Sequence, residues 1–374
     1  MQRTLVSALA CRLNPRWLGA RGGGGLQGFA VNRRSLATGE AAALLALQAH
    51  PSAPRGLGGE TSEVEIWLDG RALDTAAGPV ADLLRATRRV ACAPVAPPRI
   101  MAVLNVTPDS FSDGGRWNTL DAAIEQAQRC IAEGAHLLDI GGESTRPGSQ
   151  AVPDEEQWRR VGPVIEALAA RTEVPLSIDT TSAAVARRAL DAGATWVNDI
   201  SAGTFDPDML PLVAQREATY VAMHCTARPD RMQQEVHLGD PTADVSAWLR
   251  ARLAAAVEAG IDPGRCLLDP GIGFGKHLAH NLDLLRRLWE FRSLGCPLLL
   301  GVSRKSFIAH LDQAESNPGT PVPDPDERLG GTAAAVSACV AGGAAVLRVH
   351  DIATMAQAAR MAYALHHPTA HSPA

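Results

Sequence analysis

The sequence predicts a (β/α)8 barrel, because eight short apolar runs alternate with eight segments of helical spacing from residue 100 to residue 366. Several predicted connections from helix to strand are short and begin with glycine, at Gly134, Gly193, Gly260 and Gly343. Several connections from strand to helix are long: 107–118, 141–153, 225–243 and 304–325. Barrel enzymes place their sites on the loops after the strands, so we expect the chemistry there. A doubly wound sheet is the competing architecture.

The predicted strands are too short for helices and are rich in aliphatic residues. They are residues 100–106, 136–140, 175–178, 195–198, 220–223, 266–268, 297–302 and 345–349. The segment after the fifth run shows the helical period most clearly. Its stripe consists of Val245, Trp248, Leu249, Arg252, Leu253, Ala256 and Val257.

The sequence on either side of the barrel predicts further segments. Residues 63–74 alternate around Asp69-Gly70, which predicts a β-hairpin at the start of a domain that we place at residues 63–366. Residues 40–62, rich in Ala, Pro and Gly, predict a linker, and residues 367–374 a short tail. We therefore expect the first 60 or so residues to be dispensable for folding.

Residues 1–39 have the composition of an organelle transit peptide. They carry six arginines and no acidic residue, and Leu5, Ala8, Leu9 and Leu13 offer an apolar helical face. Few hydroxyl residues accompany the arginines, so we rank the mitochondrion first and the plastid second. A basic tail on a cytoplasmic protein is the alternative.

Composition excludes several classes of protein. The net charge of −5 offers no basic field for nucleic acid. No apolar run approaches the roughly 20 residues that span a bilayer. The seven cysteines are scattered without a Cys-x-x-Cys pair, which argues against a disulfide framework or a zinc site and suits a reducing compartment.

Polar side chains stand at the end of each predicted strand. They are Asn105, Asp139, Asp179, Asn198 with Asp199, His224, Asp269, Ser303 to Lys305, and Arg348 with His350. A single carboxylate at a strand end is usually a cap or a structural hydrogen-bond acceptor, and we interpret Asp139 in that way. So many at one barrel mouth predict a polar pocket.

The residue types in this pocket suit a flat heterocycle and an anion. Asp179, Asn198 and Asp269 would accept hydrogen bonds from an amino group and ring N–H groups, as in a pterin. Lys305 and Arg348 can bind ring oxygen or nitrogen, or stack on the ring. Arg348 and His350 suit a phosphate, and Asn105 offers a neutral oxygen to Mg²⁺. The glycines of 271–275 indicate either a tight turn or a weak phosphate loop.

Longer motifs make a resemblance specific. They are Asn105-Val-Thr-Pro-Asp-Ser-Phe-Ser-Asp-Gly-Gly115, Asp139-Ile-Gly-Gly-Glu-Ser-Thr-Arg-Pro-Gly148, Ser177-Ile-Asp-Thr180, Val197-Asn-Asp-Ile200, Met223-His224, Leu268-Asp-Pro-Gly-Ile-Gly-Phe-Gly-Lys276, Gly301-Val-Ser-Arg-Lys-Ser306 and Arg348-Val-His-Asp351. From about residue 63 to residue 366 the chain resembles pterin-binding enzymes, most closely dihydropteroate synthases. It departs from their pattern at Cys225-Thr226-Ala227 and Thr181-Ser182.

The resemblance implies a role for each site residue. Asp179, Asn198, Asp269 and Lys305 would hold the pterin, and Asn105, Arg348 and His350 the diphosphate, with Mg²⁺ on Asn105. The 4-aminobenzoate site would comprise Phe111, Thr145, Arg146, Pro147, Lys305 and Ser306. Lys305, Arg348, His350 and the loop residue Asp113 would be catalytic.

The implied activity is the condensation of 6-hydroxymethyl-7,8-dihydropterin diphosphate with 4-aminobenzoate in folate biosynthesis, by a homodimer that sulfonamides inhibit. We expect Arg348→Ala to weaken the diphosphate substrate and to spare a pterin without diphosphate. The alternatives are a methyltetrahydrofolate-dependent methyltransferase and a catalytically inactive relative that binds pterin. The region before residue 63 is too short for a fused pyrophosphokinase.

Overall fold

A computed structural model describes residues 8–21, 26–32, 40, 43, 48–51, 63–106, 119–146, 148–234, 236, 238–315 and 322–366. The chain divides into two compact units. One comprises Met1–Val95, Leu238–Ala255 and Arg287–Cys296, and the other Ala96–His237, Ala256–Arg286 and Pro297–Ala374. In the part of the chain that is described, no helix is long and apolar enough to cross a membrane.

The first unit contains an antiparallel sheet. Its strands are β1 (Arg16–Arg21), β2 (Leu26–Asn32), β3 (Gln48–Pro51) and β4 (Glu63–Asp69), in the order β1-β2-β4-β3. The described helices that neighbour this sheet in the sequence are α1 (Ala8–Leu13), α2 (Gly70–Thr75) and α3 (Pro79–Ala91). A buried cluster that includes Phe29, Val31, Leu68, Leu73 and Leu84 joins β2 and β4 to α2 and α3.

The antiparallel pairing expected near the N-terminus is confirmed, but the predicted hairpin at residues 63–74 is wrong in its second arm. Gly70 begins α2 instead of forming a turn. The partners of β4 are β2 and β3, with β2 paired from Leu26↔Asp69 to Asn32↔Glu63. The physical reason is burial, because a helix after β4 places Leu73 in the apolar cluster.

Residues before β2 make buried contacts within the same unit. Arg16 lies 3.4 Å from Glu290, and both side chains are about 1% exposed. Asn14 donates a hydrogen bond to the Ala243 carbonyl at 3.3 Å and accepts one from Ser246 Oγ at 3.2 Å. The transit peptide stays a prediction, and cleavage after residue 32 would remove β1 and β2.

The second unit confirms the predicted barrel. Its parallel strands are β5 (Arg99–Asn105), β6 (Leu137–Gly141), β7 (Leu176–Asp179), β8 (Trp196–Asp199), β9 (Thr219–Met223), β10 (Cys266–Asp269), β11 (Leu298–Gly301) and β12 (Ala344–Val349). They pair in this order, and β12 pairs with β5 to close the barrel. The strands overlap all of the predicted apolar runs.

Helices follow the barrel strands between residues 119 and 366. They are α4 (Thr119–Ala132), α5 (Asp154–Ala169), α6 (Ala183–Asp191), α7 (Met209–Arg216), α8 (Pro241–Glu258), α9 (Leu278–Arg286), α10 (Ser306–Glu315), α11 (Leu329–Ala341) and α12 (Ile352–His366). Short 3₁₀ helices are found at Pro263–Arg265, Leu288–Leu294 and Pro325–Arg328. The long connection predicted at 304–325 is wrong, because α10 already begins at Ser306.

The barrel interior changes from apolar to polar along the strands. A buried layer consists of Met101, Leu137, Trp196, Val221, Leu267, Leu299 and Val346. Side chains two residues apart on a strand share a face. The next positions on that face include Asp139, Asn198, Asp269 and Arg348, and the alternation of the strands therefore carries polar groups into the upper interior.

Candidate active site

Asp139 is the centre of a buried hydrogen-bond network inside the barrel. Its Oδ1 accepts from Ser177 Oγ at 2.6 Å, and its Oδ2 accepts from Asn198 Nδ2 at 2.9 Å and from Arg348 Nε at 2.5 Å. The structural interpretation of Asp139 is thus confirmed. Its role in orienting two predicted site residues was missed, since the sequence does not show which strand ends touch.

Asp179 presents an acceptor that no described group satisfies. Its Oδ2 accepts from Arg348 Nη2 at 2.7 Å, whereas its buried Oδ1 has no hydrogen-bond partner among the described residues. Burial raises the pKa of Asp179, and the positive charge of Arg348 opposes that rise. A buried unsatisfied carboxylate oxygen is costly, and a ligand N–H group would satisfy it.

Asn105, Gly141 and Asp179 are neighbours across β5, β6 and β7. A Cβ atom at Gly141 would lie 3.5 Å from Asp179 Cβ and 3.7 Å from Asn105 Oδ1. The side chains of Asn105 and Asp179 therefore flank the space above a glycine. Asn105 is partly exposed and its amide oxygen is a ligand type that Mg²⁺ accepts.

Asp269 and Lys305 lie on either side of a tight turn. Asp269 Oδ1 accepts from the Gly271 N–H at 2.7 Å, and Gly271, Gly273 and Gly275 all have positive φ. A Cβ atom at Gly271 would lie 1.9 Å from the His224 carbonyl oxygen, so only glycine fits. The tight-turn interpretation of 271–275 is confirmed.

Lys305 is held against this turn. Its Nζ donates to the Ile272 carbonyl and lies 4.4 Å from the centroid of the Phe274 ring. Burial lowers the pKa of Lys305 to about 8, although the Asp269 carboxylate acts in the opposite direction. The ammonium group is thus close to its titration range at neutral pH.

A second lysine, Lys276, is buried and was missed by sequence reasoning. Its Nζ lies 2.9 Å from His224 Nδ1 and donates to the Phe274 carbonyl at 2.9 Å. Burial lowers the pKa of Lys276 to about 7 and the pKa of His224 well below its usual value. The only signal in the sequence was the position of Lys276 at the end of the glycine-rich motif.

Asp199 does not join the site. Its carboxylate accepts from the Ser201 backbone and hydroxyl, from the Gly203 N–H and from Tyr220 Oη at 2.7–2.8 Å. These bonds make it a structural residue beneath the loop that follows β8.

His350 lies beside Ser303 at the ends of β12 and β11. Its Nδ1 is 3.1 Å from Ser303 Oγ, and its backbone N–H donates to the same oxygen at 3.2 Å. Burial and the charges of Arg348 and Arg304 lower the pKa of His350 to about 4. The imidazole is therefore neutral at pH 7 and carries a single ring N–H group that can donate a hydrogen bond.

Only some of the residues predicted for the 4-aminobenzoate site lie in the described part of the chain. Thr145 and Arg146 lie on the loop after β6, where the Gly148 N–H donates to the Pro229 carbonyl at 2.8 Å. Ser306 is exposed and begins α10. Phe111, Asp113 and Pro147 lie outside the described residues.

The described residues contain no group of three or more His, Cys, Asp or Glu side chains arranged for a metal ion. Mg²⁺ commonly binds through one or two protein oxygens and completes its shell with water and substrate phosphate. Asn105 at the open end of the barrel fits that mode, and a dedicated protein cage is not required.

Comparison with known proteins identifies the class to which this barrel and its polar mouth belong. The model of the family described as pterin binding enzyme matches residues 101–350. The dihydropteroate synthase of Synechocystis is 47% identical over 267 residues, which are 71% of this chain and 89% of that protein. The dihydropteroate synthase of Escherichia coli K12 is 42% identical over 71% of this chain and 90% of its own length.

Solved structures agree with these relatives. The Yersinia pestis dihydropteroate synthase in a sulfonamide drug complex has a TM-score of 0.66 and 41% identity, covering 72% of this chain and 94% of that one. The Xanthomonas albilineans enzyme in complex with 7,8-dihydropteroate has a TM-score of 0.64 and 42% identity, covering 74% and 96%. This chain belongs to the dihydropteroate synthase family.

Proposed function

We propose that this transferase joins 6-hydroxymethyl-7,8-dihydropterin diphosphate to 4-aminobenzoate, forming dihydropteroate and releasing diphosphate. Membership of the family supports the reaction. The assignment to these residues depends on the buried Oδ1 of Asp179, which has no hydrogen-bond partner among the described residues and needs a donor such as a pterin N–H group. Asn198 and Asp269 supply further polar contacts from neighbouring parts of the interior.

Loss of diphosphate from the pterin methylene is the demanding step. Arg348 and neutral His350 would stabilise the charge on the leaving group, and the carboxylates around the ring would stabilise the cation that remains. Asn105 would hold Mg²⁺ together with the diphosphate oxygens; when bound, the ion neutralises charge on the leaving group. The contacts of Arg348 with Asp139 and Asp179 hold its guanidinium in place for this role.

The acceptor needs little chemical activation, because an aromatic amine is unprotonated near pH 7 and can attack directly. Its carboxylate would lie near Ser306, where the first N–H groups of α10 favour negative charge. Phe111, Thr145, Arg146 and Pro147 would complete the site and Asp113 would close it. Sulfonamides, which share the aryl amine, would then compete with 4-aminobenzoate.

A coupled assay for diphosphate release tests the proposed function. We expect turnover only when both substrates are present, loss of turnover after treatment with a chelator, and recovery with Mg²⁺. Release of diphosphate without 4-aminobenzoate at the same rate, or no release with both substrates, would contradict the proposal.

The pH dependence of kcat/KM should reflect the titration of Lys305. The pKa of its ammonium is lowered to about 8, and the charged form is the one that binds a ring oxygen. We therefore expect kcat/KM for the pterin substrate to fall about tenfold per pH unit above pH 8. In Lys305→Arg, the guanidinium stays charged, and the fall should disappear below pH 10. A limb that persists there would belong to another group, such as Lys276, and would refute the assignment.

We also propose a homodimer. The last two helices carry exposed apolar side chains, among them Leu329, Met361 and Leu365, which are 39%, 59% and 66% exposed. Light scattering after gel filtration should give twice the chain mass, and a monomer at micromolar concentration would contradict this.

Mitochondrial targeting by the N-terminal segment remains a proposal, with the plastid as the alternative. Six positive charges before Glu40 would be drawn across a membrane that is negative inside, at roughly 2.3 kcal/mol per charge per 100 mV. A reporter fused to residues 1–45 should enter the organelle. A cytosolic, uncleaved reporter would show that the segment is not a signal.

A further inference from the structure

Side chains extend the pairing of β11 and β12 beyond the ends of the two strands. The backbone register reaches Gly301↔Arg348. Two residues further on, Ser303 Oγ contacts both the backbone N–H and Nδ1 of His350. At the next position, Arg304 donates to both carboxylate oxygens of Asp351, from Nε at 2.9 Å and from Nη2 at 2.5 Å. Ser303–His350 and Arg304–Asp351 thus continue the strand register through side chains.

The backbone of Arg304 is fixed on both sides as well. Its N–H donates to Thr332 Oγ1 at 3.0 Å, and its carbonyl accepts from Arg328 Nη1 at 2.8 Å. Its φ of +59° lies in the left-handed region, which a residue with a side chain occupies only when its surroundings hold it there. Such backbone conformations cluster at functional sites.

This arrangement lies between two residues that serve different parts of the substrate. Lys305 follows Arg304 and reaches the Ile272 carbonyl and the Phe274 ring. His350 precedes Asp351 and lies on Ser303. We infer that Ser303, Arg304 and Asp351 form a positioning clamp that fixes the ring-binding Lys305 relative to the leaving-group residue His350. The inference rests on the proposed function.

The clamp acts through Lys305 and His350, so its loss should change the turnover rate more than the binding of the pterin ring. The pterin ring needs Lys305, whereas departure of diphosphate also needs His350 at the correct separation. Displacement of a reacting group by about 1 Å can lower a rate about 100-fold. Loss of the clamp should therefore lower kcat far more than it weakens a pterin that lacks diphosphate.

The chain offers a matched control, because Arg304 also contacts the carboxylate of Asp326. Asp326 is 82% exposed on its side chain and belongs to the 3₁₀ helix Pro325–Arg328, whereas Asp351 belongs to the segment that follows β12. Asp351→Asn and Asp326→Asn each remove one negatively charged carboxylate that contacts the guanidinium of Arg304. Only the first alters the Arg304–Asp351 pair, which joins the segments that follow β11 and β12.

The experiment measures kcat for diphosphate release and the Kd of a pterin without diphosphate in wild type and both variants. We expect Asp351→Asn to lower kcat about 30- to 100-fold and Kd to change less than about threefold. Asp326→Asn should stay within about threefold of wild type in both quantities. When His350→Ala is already present, adding Asp351→Asn should lower kcat by less than about a further threefold, because the effects of residues that act together are not additive.

The clamp is refuted if folded Asp351→Asn keeps wild-type kcat, if both variants lose activity equally, or if the two changes are additive. Should Asp351→Asn fail to fold, Ser303→Ala removes only the hydroxyl contact with His350, and kcat should fall about fivefold; unchanged kcat there would also refute the clamp. A wild-type protein inactive with both substrates would instead refute the proposed function and the clamp's role with it. An active wild type with unaffected variants would refute the clamp alone.

Discussion

Asp179→Asn should weaken pterin binding by about 30- to 150-fold, equivalent to about 2–3 kcal/mol. The side chain has one oxygen on Arg348 and a second, buried oxygen without a partner among the described residues. A charged acceptor for ring N–H groups is lost, and an asparagine amide would present either a weaker acceptor or a competing donor. Calorimetric titration with a pterin that lacks diphosphate measures the change.

Asp199→Asn is the matched control, because Asp199 is also a buried carboxylate and lies at the end of the next strand. Its oxygens are already occupied by Ser201, Gly203 and Tyr220. We expect this variant to lose thermal stability and to bind pterin within about threefold of wild type once folded. Near-normal affinity in Asp179→Asn, or equal losses in both variants, would contradict the pocket assignment.

The barrel and the set of polar strand ends could be predicted because both are local properties of the sequence. Short apolar runs indicate parallel strands, and alternation along each strand places Asp139, Asn198 and Asp269 on the interior face. The pairing of these residues could not be predicted, since Arg348 and Asp139 are 209 positions apart. Residues outside the motif-based assignment, such as Lys276 and Thr332, emerged only from contacts in the structure.

The N-terminal unit shows what composition cannot report. Arginine without acidic residues is typical of transit peptides, and composition does not show that Arg16 contacts Glu290 in a buried pair. The partners of β4 come from residues 26–32 and 48–51, and no short-range pattern reports such long-range antiparallel pairing. Removal of the first 60 residues, which looked harmless from the sequence, would take away three of the four strands of the described sheet.

Arg348→Met is expected to affect both turnover and stability. The guanidinium lies 2.5 Å from Asp139 and 2.7 Å from Asp179, both nearly inaccessible to solvent. Removal of one partner from a buried ion pair costs about 3–5 kcal/mol. The expectation that a pterin without diphosphate binds almost as before is therefore revised, because Arg348 also orients Asp179. We expect kcat to fall at least about 1,000-fold and pterin affinity to fall as well.

The stability loss in Arg348→Met should depend on pH with a defined sign. Arg348 is the group that lowers the pKa of Asp179 against the effect of burial, so its removal raises that pKa further. A folded-state pKa above the unfolded value of about 3.9 contributes stability at low pH that is lost as pH rises through the folded pKa. Urea unfolding should thus show a larger loss in free energy at pH 8 than at pH 5, where the carboxyl group can be protonated. Arg348→Lys keeps the charge but cannot bridge two carboxylates with a planar fork. Its free energy of unfolding should therefore lie between that of Arg348→Met and that of the wild type. An equal loss at both pH values, or unchanged pterin affinity, would show that Arg348 does not control Asp179.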